Sequence, residues 1–194
     1  MVRPRKFDKA TVLQRATRVF WQHGFAASST DLLLKEMGIG RQTLYNTFGD
    51  KRQLYLAVLQ AYQEQSLSGH LKRLNTPESP LQGIRQLLRG LAATDDCTRA
   101  LGCFGVGSVG EFGTSDPELM AQREVIRTVL ERRIEARVHE GQELGELDAS
   151  LNAQETAAFI QTAMAGLQLS ARAGANLQTM HAIADFTADR LKAT

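Results

Sequence analysis

The stretch Ser28–Lys51, SSTDLLLKEMGIGRQTLYNTFGDK, narrows the choice of fold more than any other. It predicts two short helices joined by a tight glycine turn. Leu33, Leu34 and Met37 give the first helix its apolar side, and Ser28 and Ser29 are placed to cap its unpaired leading N–H groups. Gly38 stands where the chain must leave that helix, a left-handed position that costs glycine least, and Ile39 anchors the turn. In the second helix Leu44 and Phe48 are four apart and share one face. Arg41, Gln42, Thr43 and Asn46 then point elsewhere, with Tyr45, Thr47 and Lys51 on the flanks. An apolar back and a front of donors and acceptors is what a helix needs to lie in a major groove. The plainer reading is a helical hairpin whose polar residues only meet water.

The rest of the chain continues in helices. Val12, Leu13, Ala16, Val19 and Phe20 trace a 3.6-residue stripe after Asp8, a plausible cap, and Gly24 is expected to end that helix. Asp50 starts a longer helix with Leu54, Ala57, Val58 and Ala61 on its buried side, extending to about Leu74. Asn75 to Pro80 reads as a loop, and Leu81, Ile84, Leu88 and Leu91 as the next helix. Asp116-Pro117 opens a long helix that ends near Gly141. Asn152 opens another that Gly174 stops, and a last one runs from about Asn176 to Leu191. No alternating strand pattern is found, so the expected fold class is all-α, with a helical head over residues 1–54 and a helical body over 55–194.

Charge follows the same division. Met1 to Asn75 holds twelve Lys or Arg against five acids, and the remainder eleven against sixteen. A basic head on a slightly acidic body suits nucleic-acid binding. Arg3, Arg5 and Lys6 form a short basic arm. No window approaches the roughly 18 apolar residues of a membrane helix, and no apolar run follows the basic N-terminus, so a soluble, cytosolic protein is expected. Cys97 and Cys103 are too few for a disulfide scaffold, and the scattered histidines have no paired ligand spacing, so neither metal nor cofactor is expected.

Residues Phe7 to Tyr62, most sharply MGIGRQTLYNTFGDKRQLY, resemble the tetracycline-repressor (TetR) family of bacterial one-component regulators. Gly38-Ile39, Leu44-Tyr45, Phe48 and Lys51 stand where that family has its glycine-apolar turn, Leu-Tyr pair, aromatic residue and lysine. Gly40 departs from the family's frequent capping serine; it can cap but cannot donate a hydroxyl to a phosphate. The resemblance implies a homodimer joined through its last two helices, binding palindromic operator DNA and released by a small molecule, in the bacterial cytosol. On that footing Arg41, Gln42, Thr43 and Asn46 are expected to read bases, Ser29, Thr30, Tyr45, Thr47 and Lys51 to hold phosphates, and Arg3, Arg5 and Lys6 to follow the backbone or a minor groove. Small residues such as Ala157, Ala163 and Gly166 are expected to let the dimer helices approach.

Candidate pocket residues are Phe104, Val109, Phe112, Met120, His139 and Met164, the plainer reading of each alone being ordinary core. Cys103 is a candidate sensor of oxidants or electrophiles, the alternative being an inert buried thiol. Two competing functions are carried alongside. Gly105-Val-Gly107-Ser-Val-Gly110 matches the dinucleotide fingerprint of an oxidoreductase, but lacks a convincing strand before it. A non-specific, nucleoid-type DNA binder would also have a basic head.

Overall fold

A computed structural model describes residues 8–193, and these form ten helices. They are α1 (Lys9–Ala27), α2 (Thr30–Met37), α3 (Arg41–Phe48), α4 (Lys51–Asn75), α5 (Pro80–Arg89), α6 (Asp96–Leu101), α7 (Phe104–Phe112), α8 (Pro117–Glu143), α9 (Ala153–Arg172) and α10 (Leu177–Asp189). Among the described residues the only extended pairing is one antiparallel bridge, Leu147 with Lys192. Arg3, Arg5 and Lys6 lie outside the described residues.

The helix starts follow from their cap residues. Asp8, Ser29, Asp50, Ser79, Asp95, Asp116, Asn152 and Asn176 each accept a hydrogen bond from a first-turn amide. Each such cap is worth about 1 kcal/mol. Gly40 opens α3 with extended backbone and no side-chain bond. Gly24 interrupts α1 at φ 75°, ψ 176°, and the chain completes one more turn to Ala27 before Ser28. The helix therefore bends where it was expected to stop. Ser28 does not cap α2: it is buried and its hydroxyl donates to the Gly24 carbonyl at 2.5 Å.

Two apolar cores organise the chain. The first joins α1, α2 and α3 to the start of α4 through Ala16, Phe20, Leu33, Met37, Leu44, Phe48, Leu54 and Leu59, and it also takes in Phe104 of α7 and Leu119 of α8. The second gathers Leu74, Ile84, Leu88, Ile134, Val138, Ala157, Ile160, Leu167 and Ala184 from α4, α5, α8, α9 and α10. On α4, Leu54 and Val58 are buried as expected, but so are Tyr55, Leu56 and Leu59, whereas Ala61 is exposed. The reason is that α4 packs against α1, α3, α5, α7 and α8, so its apolar surface wraps around the helix.

The glycine-rich segment matching the dinucleotide fingerprint forms the short helix α7 from Phe104 to Phe112. All three fingerprint glycines lie inside it, and the residues before them form α6 rather than a strand. The arrangement that a pyrophosphate-binding turn requires is therefore missing from this segment.

Candidate nucleic-acid interface and ligand cavity

At the tip of the head, α2 ends on Gly38 in the left-handed conformation (φ 69°, ψ 34°). Its N–H bonds back to Leu34 and Lys35, and the chain enters α3 after two linking residues. A side chain at position 38 would force strain there. Leu44 and Phe48 are buried beneath α3, whereas Arg41, Gln42, Tyr45 and Asn46 are exposed and Thr43 and Thr47 half-exposed. The outward side chains already contact one another. Arg41 Nη2 lies 2.6 Å from Asp31 Oδ1 of α2, and Gln42 Nε2 donates to Asn46 Oδ1 at 2.9 Å.

The expected phosphate residues fall into two groups. Ser29 caps α2 at its exposed N-terminus with Thr30 beside it, and Tyr45 is 47% exposed. The Lys51 ammonium sits 4.4 Å from the centroid of the Phe25 ring. A lysine held this way is oriented by cation–π attraction rather than free in solvent. Its neighbour Arg52 faces the body, forming ion pairs with Asp116 at 2.9 Å and Glu118 at 3.0 Å.

The body contains a cavity of about 790 Å³ between α4, α7, α8 and α9. Val109, Met120, Met164 and Cys103 line it. Phe104, Phe112 and His139 do not, which corrects the sequence reading. Phe104 and Phe112 face the other side of α7, where they pack on Tyr55 at 5.5 and 5.3 Å between ring centroids. His139 lies on the exposed side of α8. Sequence reasoning missed the α4 wall, Tyr62, Gln63, Ser66 and His70, and the α9 wall, including Gln161, Thr162 and Gln168. The signal was available in α4. Polar residues at 62, 63, 66 and 70 recur at helical spacing on a helix enclosed by neighbours, where polar groups need partners.

Head and cavity are joined through α7. Val106 and Val109 face the cavity. Glu111, two residues beyond Val109, accepts the Phe25 and Ala26 N–H groups at 2.8 Å each, at the end of α1. Phe112 packs against Phe25 with the rings tilted and their centroids 5.5 Å apart. From α1, Trp21 Nε1 donates to the Leu101 carbonyl at 3.1 Å, and its ring meets Tyr62 edge-on at 5.1 Å. The cavity wall is thus bonded to α1, the helix that leads into α2.

Comparison with known proteins matches residues 12–58 to the family model for bacterial regulatory proteins of the tetR family. Residues 80–186 match the tetracyclin repressor-like C-terminal domain. The chain is 28% identical over 189 residues to the HTH-type transcriptional repressor ComR of Escherichia coli (strain K12), covering 95% of this chain and 89% of ComR. It is 39% identical over 120 residues to the HTH-type transcriptional regulator YezE of Bacillus subtilis (strain 168), a match spanning 61% of this chain and 62% of YezE. Among solved structures, the regulator CifR in complex with 26-bp double-strand operator DNA superposes with a TM-score of 0.78 at 29% identity, over 96% of this chain and 98% of CifR. A regulator from Agrobacterium tumefaciens shares the fold, with a TM-score of 0.81 at 19% identity over 95% of this chain and 97% of its own.

Proposed function

The chain belongs to the TetR family of bacterial regulatory proteins, and from that membership we propose that it is a cytosolic repressor, binding a palindromic operator as a homodimer and leaving it when a small molecule fills the body cavity. The observation that carries this reading is the pairing of an outward polar row on α3 with a cavity whose wall helix, α7, is bonded to the head. The proposed division of the chain is a DNA-binding head, residues 1–54, and a ligand-binding and dimerising body, residues 55–194.

On the DNA side, Arg41, Gln42, Thr43 and Asn46 read base edges. Arginine pairs bidentately with guanine, and glutamine or asparagine with adenine. The exposed Arg41–Asp31 pair contributes at most about 1 kcal/mol, so a guanine can draw the guanidinium away at small cost. Ser29, Thr30, Tyr45 and Thr47 hold phosphates with the amide ends of α2 and α3, and Lys51 adds charge at the start of α4. Arg3, Arg5 and Lys6 extend the positive surface.

One recognition helix spans too few base pairs for useful specificity, whereas two in a dimer read half-sites about 34 Å apart or a multiple of that. The dimer surface in this reading is the outer face of α9 and α10, where Phe159, Leu169, Ile183 and Phe186 are 41–63% exposed. Gly166 of the expected small residues has open space around it, while Ala157 is fully buried inside its own subunit. Close approach therefore falls to Ala163 and Gly166. Ligand binding acts by favouring one spacing of the two heads over another.

The test is selection of bound sequences from random DNA with wild type, Arg41→Ala and Lys51→Ala. A single palindrome should emerge for wild type. Arg41→Ala should lose preference at one base pair of each half-site, by about 1–3 kcal/mol, while Lys51→Ala weakens every sequence alike. Equal losses on operator and random DNA for both variants would overturn the assignment, and binding without any preferred sequence would favour a nucleoid-type protein instead.

A further inference from the structure

The α4 wall of the cavity is polar yet carries no formal charge. Gln63 is buried, with 7% of its surface exposed, and its amide makes no hydrogen bond to any described residue and opens onto the cavity. A Cβ at Gly105, across the gap, would lie 3.9 Å from Gln63 Nε2 and 3.5 Å from Cys103 Sγ. The missing side chain at position 105 therefore leaves space directly in front of the amide. About two helical turns further along α4, the His70 ring accepts from Arg73 Nη2 through Nδ1 at 2.9 Å, so its proton resides on Nε2. Burial, with Arg73 adding to it, pulls the His70 pKa down to about 4, so the ring is neutral at physiological pH. Ser66 completes a wall rich in donors.

The cavity's charged residues are already committed to protein partners. Arg127 chelates Glu124 at 2.7 and 2.8 Å and also pairs with Glu131. Arg123 donates to the carbonyls of Leu119 and Gly113 at 3.2 and 2.6 Å. The two arginines and the two glutamates of the lining sum to zero charge, and both guanidinium groups already donate to protein acceptors, so the cavity has no net charge to attract an ion. The remaining surface is mostly apolar, from Val106, Val109, Met120, Ile126, Leu130 and Met164.

We propose that the effector of this protein is an uncharged, largely apolar molecule bearing a carbonyl oxygen, and that Gln63 is the residue that selects it by donating its amide N–H to that oxygen. The proposal rests on the reading of this cavity as the effector site. A ligand that fills the cavity shuts this amide off from water, so one that offers it an acceptor is favoured over one of the same shape that cannot. Apolar contact supplies the bulk of the affinity, and Gln63 supplies the discrimination.

Matched probe sets test this by calorimetric titration of the full chain: fluorenone, fluorene and 9-fluorenecarboxylate; benzophenone, diphenylmethane and diphenylacetate; xanthone, xanthene and xanthene-9-carboxylate. The expected result is that, in at least one set, the ketone binds about tenfold or more tighter than both its hydrocarbon and its carboxylate counterpart. Gln63→Leu should erase the ketone-to-hydrocarbon ratio while leaving hydrocarbon affinity within about threefold. Gln63→Met provides the same comparison if the leucine variant folds poorly. Failure of all three ketones to bind, equal binding of ketone and hydrocarbon in wild type, preference for the carboxylate, or a ratio unchanged in both variants would overturn the proposal. Operator release is scored separately on the same probes. A ketone that binds through Gln63 yet leaves DNA bound supports the ligand class and removes the regulatory reading.

Discussion

At Tyr55 a phenol hydroxyl lies buried among aromatic rings, with Phe20, Phe25, Phe104 and Phe112 all within 5.0–5.5 Å between centroids. No described residue offers that hydroxyl a hydrogen bond. Burial pushes its pKa up, the expected response of an acid whose ionised form would be stranded away from water. The ring packing stabilises the contact between head and body, while the hydroxyl works against it by about 1–3 kcal/mol. Tyr55→Phe should therefore keep the fold and raise the melting temperature, by about 2–4 °C for each kcal/mol recovered in a domain of this size. Differential scanning calorimetry decides the matter, and a lower melting temperature would mean that the hydroxyl has a role the ring alone does not fill. Cys103 is a different case: it is half-buried and faces the cavity, so an oxidant has access to its thiol. Cys103→Ser separates sensing through that thiol from sensing through Gln63, because only the first would be lost.

Among the elements, α7 was the least legible from sequence, although it touches both the cavity and the head. Its glycines match a nucleotide fingerprint, while its side chains face two ways: Val106 and Val109 toward the cavity, Glu111 and Phe112 toward the head. A short helix between two bodies has no single apolar stripe, so periodicity could not assign its faces. By contrast, α2 and α3 were legible almost to the residue. Their turn demands a left-handed glycine and their burial is one-sided, so Leu33, Met37, Leu44 and Phe48 could be named from spacing alone. Long α4 lies between these cases. Its ends were fixed by Asp50 and the Asn75–Pro80 loop, but its buried residues were not, because neighbours enclose it on several sides. The α9 cavity residues other than Met164 were missed for the same reason, since helix propensity says nothing about which partner each face meets. From α7 follows a test of coupling. Glu111→Ala removes both acceptors for the Phe25 and Ala26 amides, bonds worth roughly 0.5–1.5 kcal/mol each. Those two amides should exchange with deuterium about fivefold faster or more, ligand affinity should be nearly unchanged, and ligand-driven DNA release should weaken. Unaltered release with accelerated exchange would place the coupling elsewhere, in the Trp21–Leu101 bond or the Arg52–Asp116 pair.

For the whole molecule, the proposed mechanism requires one chain's cavity to govern a palindrome read by two heads. α9 supplies the geometry, because its faces are divided among three tasks. Ala157, Ile160, Met164 and Leu167 enter the core of its own subunit, Ala158, Gln161, Thr162 and Ala165 border the cavity, and Phe159, Gly166 and Leu169 face outward. In the proposed mechanism, filling the cavity would press on the helix that holds the partner subunit, and a small rotation there would be amplified at the DNA-binding tips. A stable dimer buries about 1,200–2,000 Å² in total, and the aromatic and aliphatic side chains exposed on α9 and α10 are the surface suited to that. Phe186, 63% exposed and near the C-terminal end of α10, is a large contributor that the subunit's own core does not need. Phe186→Asp places a charge in the proposed interface without disturbing the buried residues of α10. Analytical ultracentrifugation at micromolar concentration should show wild type as a dimer and this variant shifted toward monomer. Operator affinity should fall about a hundredfold or more, since each head then contacts its half-site alone, whereas ketone binding in the cavity should persist. A Phe186→Asp protein that stays dimeric would move the interface off this end of α10. A wild type that sediments as a monomer would remove the two-headed mechanism altogether, because no change of spacing can then be transmitted to the DNA.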